Sequence, residues 1–144
     1  MSFRLVKDAD PMPHLPVEHG RNGDGVGSWV PDMKHTFLAK YVEGTRRARE
    51  KFKQRVYVDL FCGPGRIQVK GEPATRPGGA QVAWAHSLRD DVAFTSCFVG
   101  DLDAERASAC AERLRAMGAQ ATAFPGAAES TVDQVLGRIP RSAL

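Results

Sequence analysis

The apolar positions change period along the chain, and the changes outline its elements. Met33, Phe37, Leu38, Tyr41, Val42, Ala48 and Phe52 recur at near-helical spacing. Pro31 suits a first helical turn, where its missing N–H has no partner to lose. The spacing therefore predicts a helix over 31–53, with Gly44 as its weak point. Val56-Tyr-Val-Asp-Leu-Phe61 is a continuous apolar run broken only by Asp59, the pattern of a strand buried on both faces of a parallel sheet. Residues 66–77, with Gly71, Pro73 and Pro77, read as irregular. A helix follows over Ala80–Leu88, then a strand over Val92–Val99 that runs into Gly100-Asp101. Asp103 is placed to cap the next helix, whose face carries Ala107, Cys110, Leu114 and Met117 and which stops at Gly118. Ala121–Phe124 forms a short third strand. A last helix opens at Ser130 and ends at Pro140.

The order is helix, then βαβαβα over 56–139. Strands alternating with helices imply an α/β sandwich with parallel pairing. Residues 1–27 hold three prolines and four glycines with few apolar residues between them, so they read as a flexible, irregular arm ahead of one domain over 28–144.

Composition adds exclusions. Of 144 residues, 42% are hydrophobic and 26% charged, the balance of a globular domain rather than a disordered chain. No apolar run approaches the roughly 18–20 residues of a membrane helix, so no membrane is expected as a partner. The first residues lack the long apolar core of a secretory signal. Cys62, Cys97 and Cys110 are odd in number and far apart, which argues against a disulfide framework and for a reducing, cytoplasmic setting. His14, His19, His35 and His86 have no metal-ligand spacing with one another or with cysteine, so no metal site is expected. Charge is uneven: residues 34–70 carry ten Lys/Arg against three acids, a net +7 in a chain of +3. Such a segment either tracks nucleic-acid phosphates or is a solvated helix face. The absence of interleaved aromatics favours the second.

The chemistry concentrates in Val58-Asp-Leu-Phe-Cys-Gly-Pro-Gly65. A strand that ends in an acid and enters a Gly-x-Gly turn puts bare backbone at the carboxyl edge of the sheet, where open α/β sheets bind ligands. The segment lacks the Gly-Lys-Ser/Thr of a phosphate loop. A dinucleotide fingerprint needs glycine where Gln68 stands, and a helix N-terminus directly after it. S-adenosylmethionine carries no phosphate and makes neither demand, and the acid can meet its charged amino-acid portion. Asp101, 42 residues after Asp59 and at the end of the second strand, is placed to accept ribose hydroxyls. Helix capping is its alternative. Cys62 reads as a loop-lining residue before a nucleophile, Cys97 and Cys110 as core. Trp29 reads as a hydrophobic staple or a lid, with Lys34 one turn on.

Taken together, Gly27-Ser-Trp-Val-Pro-Asp-Met-Lys34, Tyr57-Val-Asp-Leu-Phe-Cys-Gly-Pro-Gly65, Gly78-Gly-Ala-Gln-Val-Ala83 and Phe98-Val-Gly-Asp-Leu-Asp103 resemble the three-Cys-motif partner proteins. That family is similar to S-adenosylmethionine-dependent methyltransferases with a Rossmann-like fold. The resemblance spans residues 27–140. It implies an S-adenosylmethionine site at Asp59, Phe61, Cys62, Gly63, Gly65, Asp101 and Leu102, with Trp29 and Lys34 on the lid or substrate side. It also implies a companion protein bearing a three-cysteine motif. Two departures accompany it. The turn after the third strand reads Gly126-Ala-Ala128, with Glu129 displaced from the position of an adenine-side acid. The fourth strand of such a fold, which holds the substrate-side motif, would begin near Arg141–Leu144. The expected architecture is therefore the N-terminal half of a methyltransferase-type sandwich, its strands in the order 3-2-1. The expected behaviour is a marginally stable or self-associating chain with one open strand edge. Alternatives to an enzyme are a non-catalytic interaction module on the same scaffold and a nucleic-acid-binding domain.

Overall fold

A computed structural model describes residues 9–144. The first helix does not run unbroken over 31–53. A π-helical turn, Val30–His35, leads into α1 (Thr36–Gly44), and α2 (Arg46–Glu50) follows a break at Thr45. The break falls beside Gly44. The Thr45 hydroxyl donates to the Tyr41 carbonyl oxygen at 2.9 Å, a local bond that competes with the helical ladder.

Three strands form one parallel sheet: β1 (Val56–Asp59), β4 (Ser96–Asp101) and β5 (Ala121–Pro125), in the order β1-β4-β5. Register places Asp59 opposite Val99 and Asp101 opposite Pro125. Between β1 and β4 lie β2 (Arg66–Ile67), β3 (Arg76–Pro77) and α3 (Gly79–Ser87). β2 and β3 pair as a small antiparallel ladder, so the segment expected to be irregular carries a short hairpin. Two-residue strands leave no alternation to read. The strand expected over 92–99 begins at Ser96, four residues late.

The sheet is covered on both faces. Cys97, Val99 and Ala121 meet Ala80 and Trp84 of α3 and Cys110, Ala111 and Leu114 of α4 (Ala104–Ala116). Phe98 and Phe124 turn to the other face and meet Val135 of α5 (Ala128–Leu136), with Val56, Leu60 and Ile139 around them. Their rings cross edge to face at 5.6 Å. Asp103 caps α4, accepting from the Glu105 and Arg106 amides, and Gly118 follows the helix with φ +98°.

Among the described residues, the outer edge of β1 is bridged only at its start. The Val56 amide donates to the Leu144 carbonyl oxygen at 2.9 Å, and the Leu144 amide donates to Gln54 at 3.0 Å. Val58, further along that strand, is exposed.

The N-terminal arm is irregular over its described part, 9–27, and its first eight residues lie outside the described residues. It is tied to the body by single bridges from Glu18 to Ile67 and from Val26 to Val69. Arg113 of α4, fully buried, holds it more firmly. The guanidinium binds both carboxylate oxygens of Asp10 at 3.0 Å and the carbonyls of Met12, Leu15, Pro16 and Pro64. Burial works against the charged Asp10 carboxylate, yet the Arg113 bonds and the Met12 amide hold its pKa below the ordinary value.

Candidate functional site

The carboxyl ends of β1 and β4 open onto a cavity of about 530 Å³, inside the roughly 300–1,000 Å³ range of small-molecule sites. Its floor is the segment 59–65. Asp59 accepts the Phe61 amide at 3.0 Å on one oxygen and the Tyr57 hydroxyl at 3.3 Å on the other. Burial, with Asp59 nearby, pushes the Tyr57 phenol well above its ordinary pKa, so it stays a donor. Asp101 accepts the Gly63 amide at 3.1 Å and the Asp103 amide at 3.0 Å. The two strand ends are thus stitched together across the glycine turn.

Glycine is required in this turn. Gly65 has φ +87°, and a Cβ there would lie 3.2 Å from the Cys110 Cα. A Cβ on Gly78 would lie 2.8 Å from the Gly65 carbonyl, which accepts the Gly78 amide at 2.8 Å. The close approach brings the start of α3 against the turn.

Of the residues expected from sequence, Asp59, Phe61, Cys62, Gly63, Gly65, Asp101 and Lys34 all line the cavity. Phe61 does so from the rim, 82% exposed. Leu102 and Trp29 do not line it. Both are exposed, and the Trp29 ring lies over Gly27. Cys62, Cys97 and Cys110 are free and buried. Burial raises the Cys97 thiol to about 12, and a hydrogen bond with Cys62 together with burial pushes the Cys110 thiol up, so both stay protonated.

The cavity also gathers residues to which the sequence reasoning gave no site role. Glu18 comes from the arm and forms an ion pair with Arg106 of α4, whose guanidinium reaches over Gly63. Gly79 and Gly78 come from the start of α3. His35 is 4% exposed, and its Nδ1 has no hydrogen-bond partner among the described residues. Burial, with Lys34 adding to it, pushes the His35 pKa down to about 4, so the ring is neutral at pH 7. A single histidine inside a helical pattern gives no signal of its own. The Gly78-Gly79 pair at a helix start was the readable hint.

The basic segment 34–70 is largely taken up by the fold. Arg49 is buried and donates to the Val42 and Val92 carbonyls. Arg55 binds the Ala93 and Phe52 carbonyls, and buried Arg66 binds Thr75 and Gln81. Arg46 pairs with Asp90, and Lys70 with Asp24. Lys34, Arg47, Lys51 and Lys53 are exposed.

Among the described residues, no group of three His, Cys, Asp or Glu side chains is placed to hold a metal ion, and no helix is long and apolar enough to cross a membrane. The class defined here is a mixed α/β fold with a ligand-sized cavity at the carboxyl edge of a three-stranded parallel sheet. No family model, no curated protein and no solved structure matches the chain.

Proposed function

We propose that the cavity binds S-adenosylmethionine and that the chain is a Rossmann-like, methyltransferase-type domain akin to the three-Cys-motif partner proteins. The observation that carries this reading is the convergence of Asp59, Asp101 and the Gly63–Gly65 turn on one cavity at the carboxyl edge of the sheet. The cofactor, when bound, supplies an activated methyl group, so the protein's task is placement and electrostatics. Each carboxylate oxygen of Asp101 has lone pairs beyond the one taken by an amide, so it can accept ribose hydroxyls without releasing Gly63 or Asp103. Asp59 offers the same spare capacity to a cationic amino-acid portion. Phe61 adds exposed apolar surface at the rim.

Calorimetry of the full chain with S-adenosylmethionine and S-adenosylhomocysteine tests the reading. Both are expected to bind, and Asp101→Ala is expected to weaken both. Absence of heat with either ligand would sink it.

Nucleic acid as the methyl acceptor has narrower support than the +7 segment promises, because Arg46, Arg49, Arg55, Arg66 and Lys70 are engaged by the fold. A second reading, as an interaction module for a companion protein with a three-cysteine motif, draws on a different observation. Trp29, Met33, Phe37 and Tyr41 recur every four residues and all face outward. An exposed apolar stripe of that kind marks a partner surface. Titration of the chain with a purified three-Cys-motif protein should give binding that Phe37→Asp abolishes. Binding that is indifferent to this change would remove the stripe from the argument.

A further inference from the structure

The opposite end of the sheet carries a second cavity. It measures about 470 Å³ and is lined by Ser96, Phe98, Arg115, Gln120, Thr122 and Arg138, with Ala121. Ser96 opens β4 and Ala121 opens β5. The first cavity, by contrast, sits at Asp59 and Asp101, where β1 and β4 end.

The two arginines arrive from different layers. Arg115 belongs to the last turn of α4, and Arg138 follows the end of α5. Those helices pack on opposite faces of the sheet. Neither guanidinium pairs with a carboxylate among the described residues. Arg115 donates from Nε to the Ala121 carbonyl oxygen at 2.9 Å, which leaves its terminal nitrogens as donors. The Arg138 guanidinium lies 5.9 Å from the ring centroids of both Phe98 and Phe124. A ring contact of this kind orients the planar fork and leaves its N–H edge free to donate. Register sets Thr122 beside Phe98, and Ser96, two residues before Phe98, shares its face. The Ser96, Gln120 and Thr122 side chains enter none of the side-chain hydrogen bonds among the described residues. Two cations thus converge with three uncommitted polar side chains and no acid. Their mutual repulsion is what an anion would relieve.

We propose that Arg115 and Arg138, with Ser96, Gln120 and Thr122, bind the phosphate of a small phosphomonoester. Arginine forks suit phosphate oxygens, which they can meet in pairs. A monoester is close to a dianion at pH 7 and matches two cations, whereas each phosphodiester carries one charge. The site lies apart from the first cavity, so it stands whether or not that cavity takes S-adenosylmethionine.

NMR titration of the full chain tests the site, followed at the Arg115 and Arg138 Nε–H and the Gln120 side-chain amide. The probes are inorganic phosphate, phenyl phosphate and an oligothymidylate. Inorganic phosphate and phenyl phosphate are expected to move all three sets of resonances. Arg138→Gln is expected to weaken phenyl phosphate about tenfold, the loss of one charge-assisted hydrogen bond. Arg138→Lys keeps the charge without the fork and should recover part of that loss. Arg47→Gln removes an exposed cation elsewhere and should leave the affinity unchanged. Should Arg138→Gln fail to fold, Thr122→Val serves, with a smaller weakening expected. Resonances that phosphate leaves unmoved would overturn the site. Equal weakening by Arg138→Gln and Arg47→Gln would also overturn it, because the attraction would then be diffuse. Tighter binding of the oligothymidylate, per phosphate, than of phenyl phosphate would overturn the monoester and make this surface a nucleic-acid contact.

Discussion

Asp59 and Asp101 occupy both carboxylate oxygens with neighbouring donors, whereas His35, which lines the same cavity, leaves Nδ1 with none among the described residues. The two walls therefore answer to different demands. The acid wall is part of the fold: its bonds close the glycine turn and join the ends of β1 and β4. The other side, His35 and the start of α3, is where α1 packs against α3, and its histidine is sealed in without a partner for Nδ1 among the described residues. Substitutions should separate the two, with those on the acid side lowering the stability of the ligand-free chain and His35→Phe sparing it.

The largest expected effect lies behind the acid wall. Arg113 ties the Pro64 carbonyl of the glycine turn to Asp10 and the arm from a fully buried position. Arg113→Ala removes one partner of a buried ion pair and leaves several carbonyls without a donor. A loss of about 3–5 kcal/mol is expected, read as a lowered midpoint in urea denaturation. An unchanged midpoint would show that the arm and turn are held by other contacts.

Asp101→Ala should cost less, on the order of 1–3 kcal/mol, because it strands the Gly63 and Asp103 amides but leaves no buried charge. Asp101→Asn keeps one acceptor oxygen and should recover part of that loss. If the alanine variant is as stable as the parent chain, the acid wall is not structural and the contrast between the walls fails.

At His35 the sign reverses. His35→Phe replaces a ring whose buried Nδ1 has no partner among the described residues with an apolar one, so the ligand-free chain should be as stable or more so at pH 7. The pH profile gives a second readout. The folded ring takes up a proton only near 4, against an ordinary 6.5. Between those values the unfolded chain binds more protons, so stability falls as pH drops from 6.5 toward 4. His35→Phe should remove that part of the acid sensitivity. Parallel pH profiles for the two chains would show that His35 titrates normally and is not sealed from water.

Much of the acid wall was legible in the sequence because its causes are local. A β-type apolar run, an acid at its end, two glycines at left-handed φ and an Asp cap two residues from Glu105 all act over a few positions. The His35 side was not legible because its causes are distant. His35 is buried by α1 lying against α3, and behind the acid wall the Asp10–Arg113 pair, which spans 103 residues, was hidden for the same reason. The helix periodicity correctly marked an apolar stripe but not which side would face the core. Ala39 and Val42 turned inward, and Phe37 and Tyr41 outward. Small residues won the inner face because α3 approaches closely with Gly79 and Ala80 at its start.

That division within one helix supplies the smallest and sharpest comparison. Phe37 lies two residues beyond His35 yet is 64% exposed. Phe37→Ser removes apolar surface from the outer face without touching the cavity, so stability should stay within about ±0.5 kcal/mol and S-adenosylmethionine affinity should not change. His35→Phe, on the inner face, alters a ring that lines the cavity and should change that affinity. Thermal melts and calorimetry on the pair read both quantities. If Phe37→Ser changes the affinity as much as His35→Phe does, the effect passes through the helix as a whole, and His35 does not act locally.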